Sequence, residues 1–100
     1  MKKYNDFNTE FTAIIDSLKK DCKTFERKEA FYSHLWEKCQ MIENTLTADD
    51  PEWVFDKLYK VWEKAAKLSN FYGQTALWTQ KEIERIKKAR DHIETLYIDL

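Results

Sequence analysis

Glycine and proline are almost absent from this chain, whose 100 residues include one of each, where average usage gives about seven and five. Antiparallel β architectures need frequent turns built on glycine, proline and asparagine, so the composition argues against an all-β fold. It also argues against disorder, because disordered chains lack the large apolar side chains that 15% aromatic residues supply. A chain of this length fits one domain, and we expect a single helical domain over residues 1–100.

Long apolar runs are also missing. No run approaches the roughly 20 residues of a membrane-spanning helix, and residues 1–10, MKKYNDFNTE, lack the apolar stretch of a secretory signal peptide. We therefore expect a cytoplasmic protein with no membrane partner. Cys22 and Cys39 are then reduced thiols whose spacing matches no zinc or redox motif, and we expect them to be packing residues.

Recognisable catalytic signatures are missing too. The two histidines are His34 and His92, and the residues three positions earlier are Phe31 and Ala89, so the Glu-x-x-His pattern of helical di-iron proteins is absent. His-Glu-x-x-His is absent, and a single glycine excludes a glycine-rich phosphate loop. We expect no catalytic residue, no metal ligand and no cofactor, and hence a protein that is not an enzyme.

Helical periodicity is what the sequence does contain. Apolar residues recur at steps of three and four and predict four helices, over about residues 8–21, 26–46, 51–72 and 79–98. Neither glycine nor proline separates the first two, so one long bent helix over both is the alternative. Short loops favour antiparallel neighbours, and the expected fold is therefore an all-α antiparallel four-helix bundle.

Local signals mark the ends of the predicted third and fourth helices. Asp50 stands where an N-cap belongs and Pro51 where the first helical residue belongs. Gly73 is expected to end the third helix as a left-handed C-cap. Thr79 and Glu82 match a capping box, which predicts the start of the fourth helix.

Apolar stripes indicate which side chains form the core. The predicted second helix has a core stripe of Phe31, Leu35, Cys39, Ile42 and Leu46, with Tyr32 and Trp36 on its shoulder. The predicted third helix has two stripes, one of Leu58, Val61 and Ala65 and one of Phe55, Tyr59, Trp62 and Ala66. An ordinary surface helix needs only one stripe. Either the third helix is the most central of the bundle, or its second stripe faces a partner.

The second stripe leads to a functional hypothesis. Tryptophan and tyrosine are enriched at interfaces, where an apolar body and a polar tip are both useful. We expect a non-enzymatic protein–protein interaction module, a small inhibitor or regulator that occludes the surface of a partner protein. The expected partner-binding residues are Tyr32, Trp36, Trp53, Phe55, Tyr59 and Trp62, with Lys60 and Lys64 as a charged rim that attracts an acidic partner.

Two alternatives stay open. The first is nucleic-acid binding through lysine-rich stripes on the predicted third and fourth helices. These stripes contain Lys57, Lys60, Lys64 and Lys67, and Lys81, Arg85 and Lys88. A net charge of −1 and interspersed acidic residues argue against this alternative. The second is a homodimeric structural helical protein that uses the aromatic patch on itself.

Overall fold

The computed structural model describes the backbone of residues 4–98 and the side chains of residues 7–96. Over this range the backbone forms two α-helices, α1 (Tyr4–Glu43) of 40 residues and α2 (Glu52–Ile98) of 47 residues, and no strand. A turn over residues 44–51 joins them. The predicted all-α class is confirmed, but the four-helix bundle is wrong.

The first two predicted helices are one helix, α1, which confirms the alternative of a single long helix. Residues 22–25 are helical, and the hydroxyl of Thr24 donates to the carbonyl of Lys20 at 3.1 Å, one turn earlier in the same helix. The surrounding stretch, residues 19–29 (KKDCKTFERKE), is rich in lysine and glutamate, which are good helix formers. α1 ends at Glu43, three residues before the predicted end at Leu46.

The predicted third and fourth helices are also one helix, α2, so the boundary between them is wrong. Gly73 is helical, and none of the described residues, glycine included, has a positive φ, so it is not a left-handed cap. Thr79 is 2% exposed, and its hydroxyl donates to the carbonyl of Thr75 at 2.8 Å instead of capping a new helix. A glycine in a helix costs only about 1 kcal/mol, which packing against α1 readily offsets.

The predicted start of α2 is correct to within one residue, at Glu52. The carboxylate of Asp50, the predicted N-cap, accepts a hydrogen bond from the backbone N–H of Thr47 at 2.7 Å. The backbone N–H of Val54 donates to the carbonyl of Pro51 at 3.0 Å, which tightens the first turn of α2. Asp50 therefore closes the turn between the helices.

The chain divides into two compact units. Unit 1 comprises Met1–Thr24 and Thr75–Leu100, and unit 2 comprises Phe25–Gln74. Unit 2 contains the end of α1, the turn and the beginning of α2. A single domain over residues 1–100 stays a prediction.

In unit 2 the two helices pair along one seam with heptad spacing, in which contact positions a and d alternate at steps of three and four. On α1 the a positions are Glu29, Trp36 and Glu43, and the d positions are Phe25, Tyr32 and Cys39. On α2 the a positions are Phe55, Trp62 and Ser69, and the d positions are Leu58, Ala65 and Tyr72. Contacts between Trp36 and Trp62 and between the hydroxyls of Ser33 and Ser69, 2.6 Å apart, show that the helices are antiparallel.

In unit 1, the buried residues of both helices have the same spacing. Ile15 and Cys22 of α1 and Ala76, Thr79 and Ile83 of α2 are buried. The thiol of Cys22 donates to the carbonyl of Ala76 at 3.6 Å. A buried cysteine that acts as a small apolar packing residue can make such a weak hydrogen bond. Cys22 and Cys39 are both buried and form no disulfide, which fits the expectation that they are packing residues.

The seam buries few large side chains. Among the described residues the buried hydrophobic ones are Ile15, Cys22, Cys39, Leu58, Ala65, Ala76 and Ile83, four of them alanine or cysteine. The exposed large hydrophobic residues are Ile14, Phe31, Trp36, Met41, Ile42, Trp53, Tyr59, Val61, Phe71, Leu77, Trp78 and Leu96. Two paired helices cover only one stripe on each, so the wider apolar arc stays in contact with water. The predicted core positions Phe31 and Ile42 are therefore exposed.

Substitution of the central glycine of α2 distinguishes an interior helical position from a C-cap. We expect Gly73→Ala to raise the free energy of unfolding by up to about 1 kcal/mol, because alanine is the better helix former. The new Cβ would lie 2.9 Å from Oε1 of Glu29, the mobile end of a flexible side chain that can swing away. Urea denaturation followed by circular dichroism measures the change.

The matched control is the same substitution in a Glu29→Ala background, where the close contact is absent and the full gain should appear. A loss of stability in both backgrounds would contradict an unbroken α2, since alanine is strained in a left-handed cap.

Candidate interaction surface

The seam of unit 2 runs between the two apolar stripes of the segment 55–66. It takes Leu58 and Ala65 from the first stripe and Phe55 and Trp62 from the second. The remaining members are left on opposite flanks, with Val61 on one side and Tyr59 on the other, each 46% exposed. The doubled stripe is therefore one broad apolar arc, of which the seam covers only the middle.

One flank carries the tryptophan cluster, formed by Trp36, Phe55, Tyr59 and Trp62. The rings of Trp36 and Trp62 meet edge to face across the seam, with centroids 5.8 Å apart. Tyr59 stacks on Trp62 at 6.0 Å, and Phe55 lies 6.4 Å from Tyr59. Four of the predicted partner-binding residues thus come together, although Phe55 and Trp62 are half-buried seam residues and only Trp36 and Tyr59 are exposed.

The other predicted partner-binding residues lie elsewhere. Tyr32 is a half-buried seam residue on the opposite side from the tryptophan cluster. Trp53 is exposed at the start of α2, with Nζ of Lys57 5.1 Å from its ring centroid. Lys60 and Lys64 are exposed on the outside of α2, turned away from the tryptophan cluster by helical geometry.

The opposite flank carries the tyrosine cluster, formed by Phe25, Phe31, Tyr32, Phe71 and Tyr72. Tyr32 and Tyr72 stack across the seam, with centroids 5.8 Å apart and planes within 7°. Phe31 packs on Tyr32 at 5.1 Å and Phe71 on Tyr72 at 5.2 Å, each edge to face. Both phenylalanines lie outside the stacked pair and are 64% and 57% exposed.

Aliphatic side chains continue this flank along both helices. In an antiparallel pair, the residues immediately before the a positions of the two helices lie on one common face of the pair. Phe31 and Phe71 of the tyrosine cluster lie on that face as well. We call this surface the basic face; its apolar residues are Phe31, Leu35, Ile42, Val54, Val61, Leu68 and Phe71. Our sequence reasoning missed it because it placed Phe31, Leu35 and Ile42 in the core. The seam's alternation of three and four residues is the signal that could have found it.

The charges of unit 2 are segregated between its two sides. Lys28, Lys38, Lys57 and Lys64 border the basic face, and the remaining basic residues, Arg27, Lys60 and Lys67, follow on the outside of the helices. No acidic residue of α1 or α2 between 25 and 74 lies on this side. The tryptophan cluster is bordered by Glu37, Asp56 and Glu63, and we call it, with these three carboxylates, the acidic face. Glu63 pairs with Lys67 at 3.0 Å where the two sides meet.

The second predicted lysine stripe, on unit 1, lies beside acidic residues of the same helix. Arg85 pairs with Glu82 at 2.6 Å, and Lys87 lies 3.7 Å from Glu84. Lys81 and Lys88 are exposed on the same helix. Glu82 and Glu84 thus lie beside this stripe, whereas the lysines of the basic face of unit 2 have no acidic residue among them.

The described side chains hold no group of three or more histidine, cysteine, aspartate or glutamate residues that could bind a metal ion. Over residues 4–98, neither helix has a segment that is both long and apolar enough to cross a membrane. No protein-family model, curated protein or solved structure matches the chain. A functional proposal therefore has to use the residues on the surface of the protein itself.

Substitutions in the tryptophan cluster separate seam residues from surface residues. We expect Trp62→Ala to lower the free energy of unfolding by about 2 kcal/mol, roughly half the cost of truncating a fully buried tryptophan. Tyr59→Ala should cost about 1 kcal/mol or less, because its ring lies outside the seam. Urea denaturation of both variants measures the difference. Equal losses would contradict the placement of Trp62 in the seam and of Tyr59 outside it.

Proposed function

We propose that this protein is a non-enzymatic interaction module that docks a face of unit 2 against another protein chain. The supporting observation is that unit 2 carries more large apolar side chains outside than inside. Its buried hydrophobic residues are Cys39, Leu58 and Ala65, whereas eight of its large hydrophobic residues are exposed. Large exposed apolar patches on folded proteins are typical of sites that bind another protein or a ligand.

The energetics support docking through the basic face. Full burial of a valine, isoleucine or phenylalanine contributes about 1.5–3 kcal/mol. Phe31, Ile42, Val61 and Phe71 are each about half exposed, so covering them contributes about 3–6 kcal/mol. The matching surface of the partner contributes in the same way. Together these terms are comparable with the lower estimates of the entropy lost on association, about 4 kcal/mol and upward.

The proposed mode of action is occlusion of the partner's surface, as an inhibitor or regulator would act. A pair of helices with segregated charges is suited to this role, because the charges orient the approach while the apolar centre supplies the affinity. The lysines that border the basic face favour a partner with an acidic rim.

Nucleic-acid binding is a second candidate, supported by the seven basic residues of unit 2 on a side of the helices without carboxylates. Lysine stripes beside aromatic rings bind phosphates and stack bases. Beyond its two phenylalanines, however, the basic face is aliphatic, with Leu35, Ile42 and Val61. Aliphatic side chains offer no stacking surface, so the face fits a protein better.

Capture experiments test the leading proposal. A tagged wild-type protein, mixed with an untagged copy and with host cell extract, should retain a protein chain in a stoichiometric amount. Val61→Glu should reduce the retained amount at least tenfold, because it places a charge in the centre of the basic face, while leaving the helical circular dichroism spectrum intact.

The matched control is Gln74→Glu, which adds the same charge to an exposed site of α2 away from both faces. It should bind as the wild type does. Retention of no chain by the wild type, or equal retention by Val61→Glu, would count against the proposal.

Salt dependence discriminates the nucleic-acid candidate. Fluorescence anisotropy with a labelled DNA duplex should show no binding if the basic face serves a protein. Affinity that falls steeply with salt, with a slope that Lys64→Gln reduces by about 0.9, would instead support phosphate contacts.

A further inference from the structure

We infer that the partner of the basic face is a second copy of this chain, which presents its acidic face. This inference rests on the proposed function and names the partner of the same surface. Both faces belong to unit 2, and they lie on opposite flanks of one helix pair. Each copy therefore offers both halves of the contact.

Charge complementarity is the first argument. Lys28, Lys38 and Lys64 border the basic face, while Glu37, Asp56 and Glu63 border the acidic one. A contact between two basic faces would oppose lysines to lysines, and a contact between two acidic faces would oppose carboxylates. Juxtaposed like charges oppose association and matched ones favour it, so the arrangement favours basic against acidic.

The apolar surfaces are the second argument. On the acidic face, the seam residue Trp36 and the neighbouring Tyr59 are exposed, flanked by the small Ala66. On the basic face, exposed phenylalanines stand on either side of the half-buried Leu35 and Leu68. Aromatic anchors with a polar rim are the usual composition of protein interfaces. One face therefore supplies large projecting rings, and the other supplies aliphatic side chains between two helices.

The symmetry of this contact has a consequence for assembly. A contact between two different faces is heterologous. After each addition, the assembly still has a free basic face at one end and a free acidic face at the other. Association should then continue beyond the dimer as concentration rises. A contact between identical faces would stop at a closed dimer.

The test uses one blocked variant for each face. Val61→Glu places a carboxylate in the basic face, and Tyr59→Lys removes an exposed ring and places a cation in the acidic face. Each variant lacks one half of the contact, so each alone should sediment as a 12.1 kDa monomer. An equal mixture should form a 1:1 complex of twice that mass, which joins the two intact faces and grows no further.

Sedimentation velocity at low salt is the readout, with circular dichroism to show that both variants are folded. Wild-type mass that rises with concentration past the dimer, and falls at high salt, is the expected result. A concentration-independent wild-type dimer, a wild-type monomer throughout, or a mixture that stays monomeric would each overturn the inference. A monomeric wild type excludes a second copy as the partner. If the capture experiment then retains another protein, or if DNA binds, the basic face binds that protein or DNA instead.

Discussion

The pairing of α1 with α2 within each unit is the constraint on which the rest of the structure depends. The seam of unit 2 buries little apolar surface, because its buried positions include the small residues Cys39 and Ala65, and aromatic positions such as Trp62 and Tyr72 are only half-buried. Small residues let the helices approach closely but bury little apolar area. Each helix also has a single neighbour in its unit and so can cover only one stripe. The large apolar residues beside the seam consequently remain at the surface.

Much of this architecture could be predicted from the sequence, and the errors have identifiable causes. Composition and periodicity correctly give an all-α fold, and Asp50-Pro51 locates the start of α2 to within one residue. Gly73 and the Thr79 capping box predict a break that does not occur, because local signals of about 1 kcal/mol are weaker than packing along a helix. A four-helix bundle would give each helix two neighbours. Two paired helices therefore leave exposed many apolar residues that a four-helix bundle would bury.

Only part of the candidate interaction surface could be predicted from the sequence. Of the predicted partner-binding residues, Trp36, Phe55, Tyr59 and Trp62 lie in one cluster, whereas Tyr32 and Trp53 lie elsewhere. Binding of a partner by this cluster stays a prediction. Phe31, Ile42 and Val61 were placed in the core because their stripes look apolar, and a stripe alone does not show which of its edges meets the neighbouring helix. The alternation of three and four residues over a long segment does show it, since it fixes one seam for both helices. That seam also reveals the segregation of acidic and basic residues in unit 2, which a count of net charge conceals.

The most direct test of the paired, unbroken helices is backbone NMR of the isotope-labelled protein across residues 72–80. We expect helical Cα chemical shifts without interruption through Gly73 and Thr79, together with cross-peaks between the rings of Tyr32 and Tyr72. Coil shifts between Gly73 and Trp78, with a new helix that begins at Thr79, would contradict it. The seam and the two faces defined by it would then have to be abandoned.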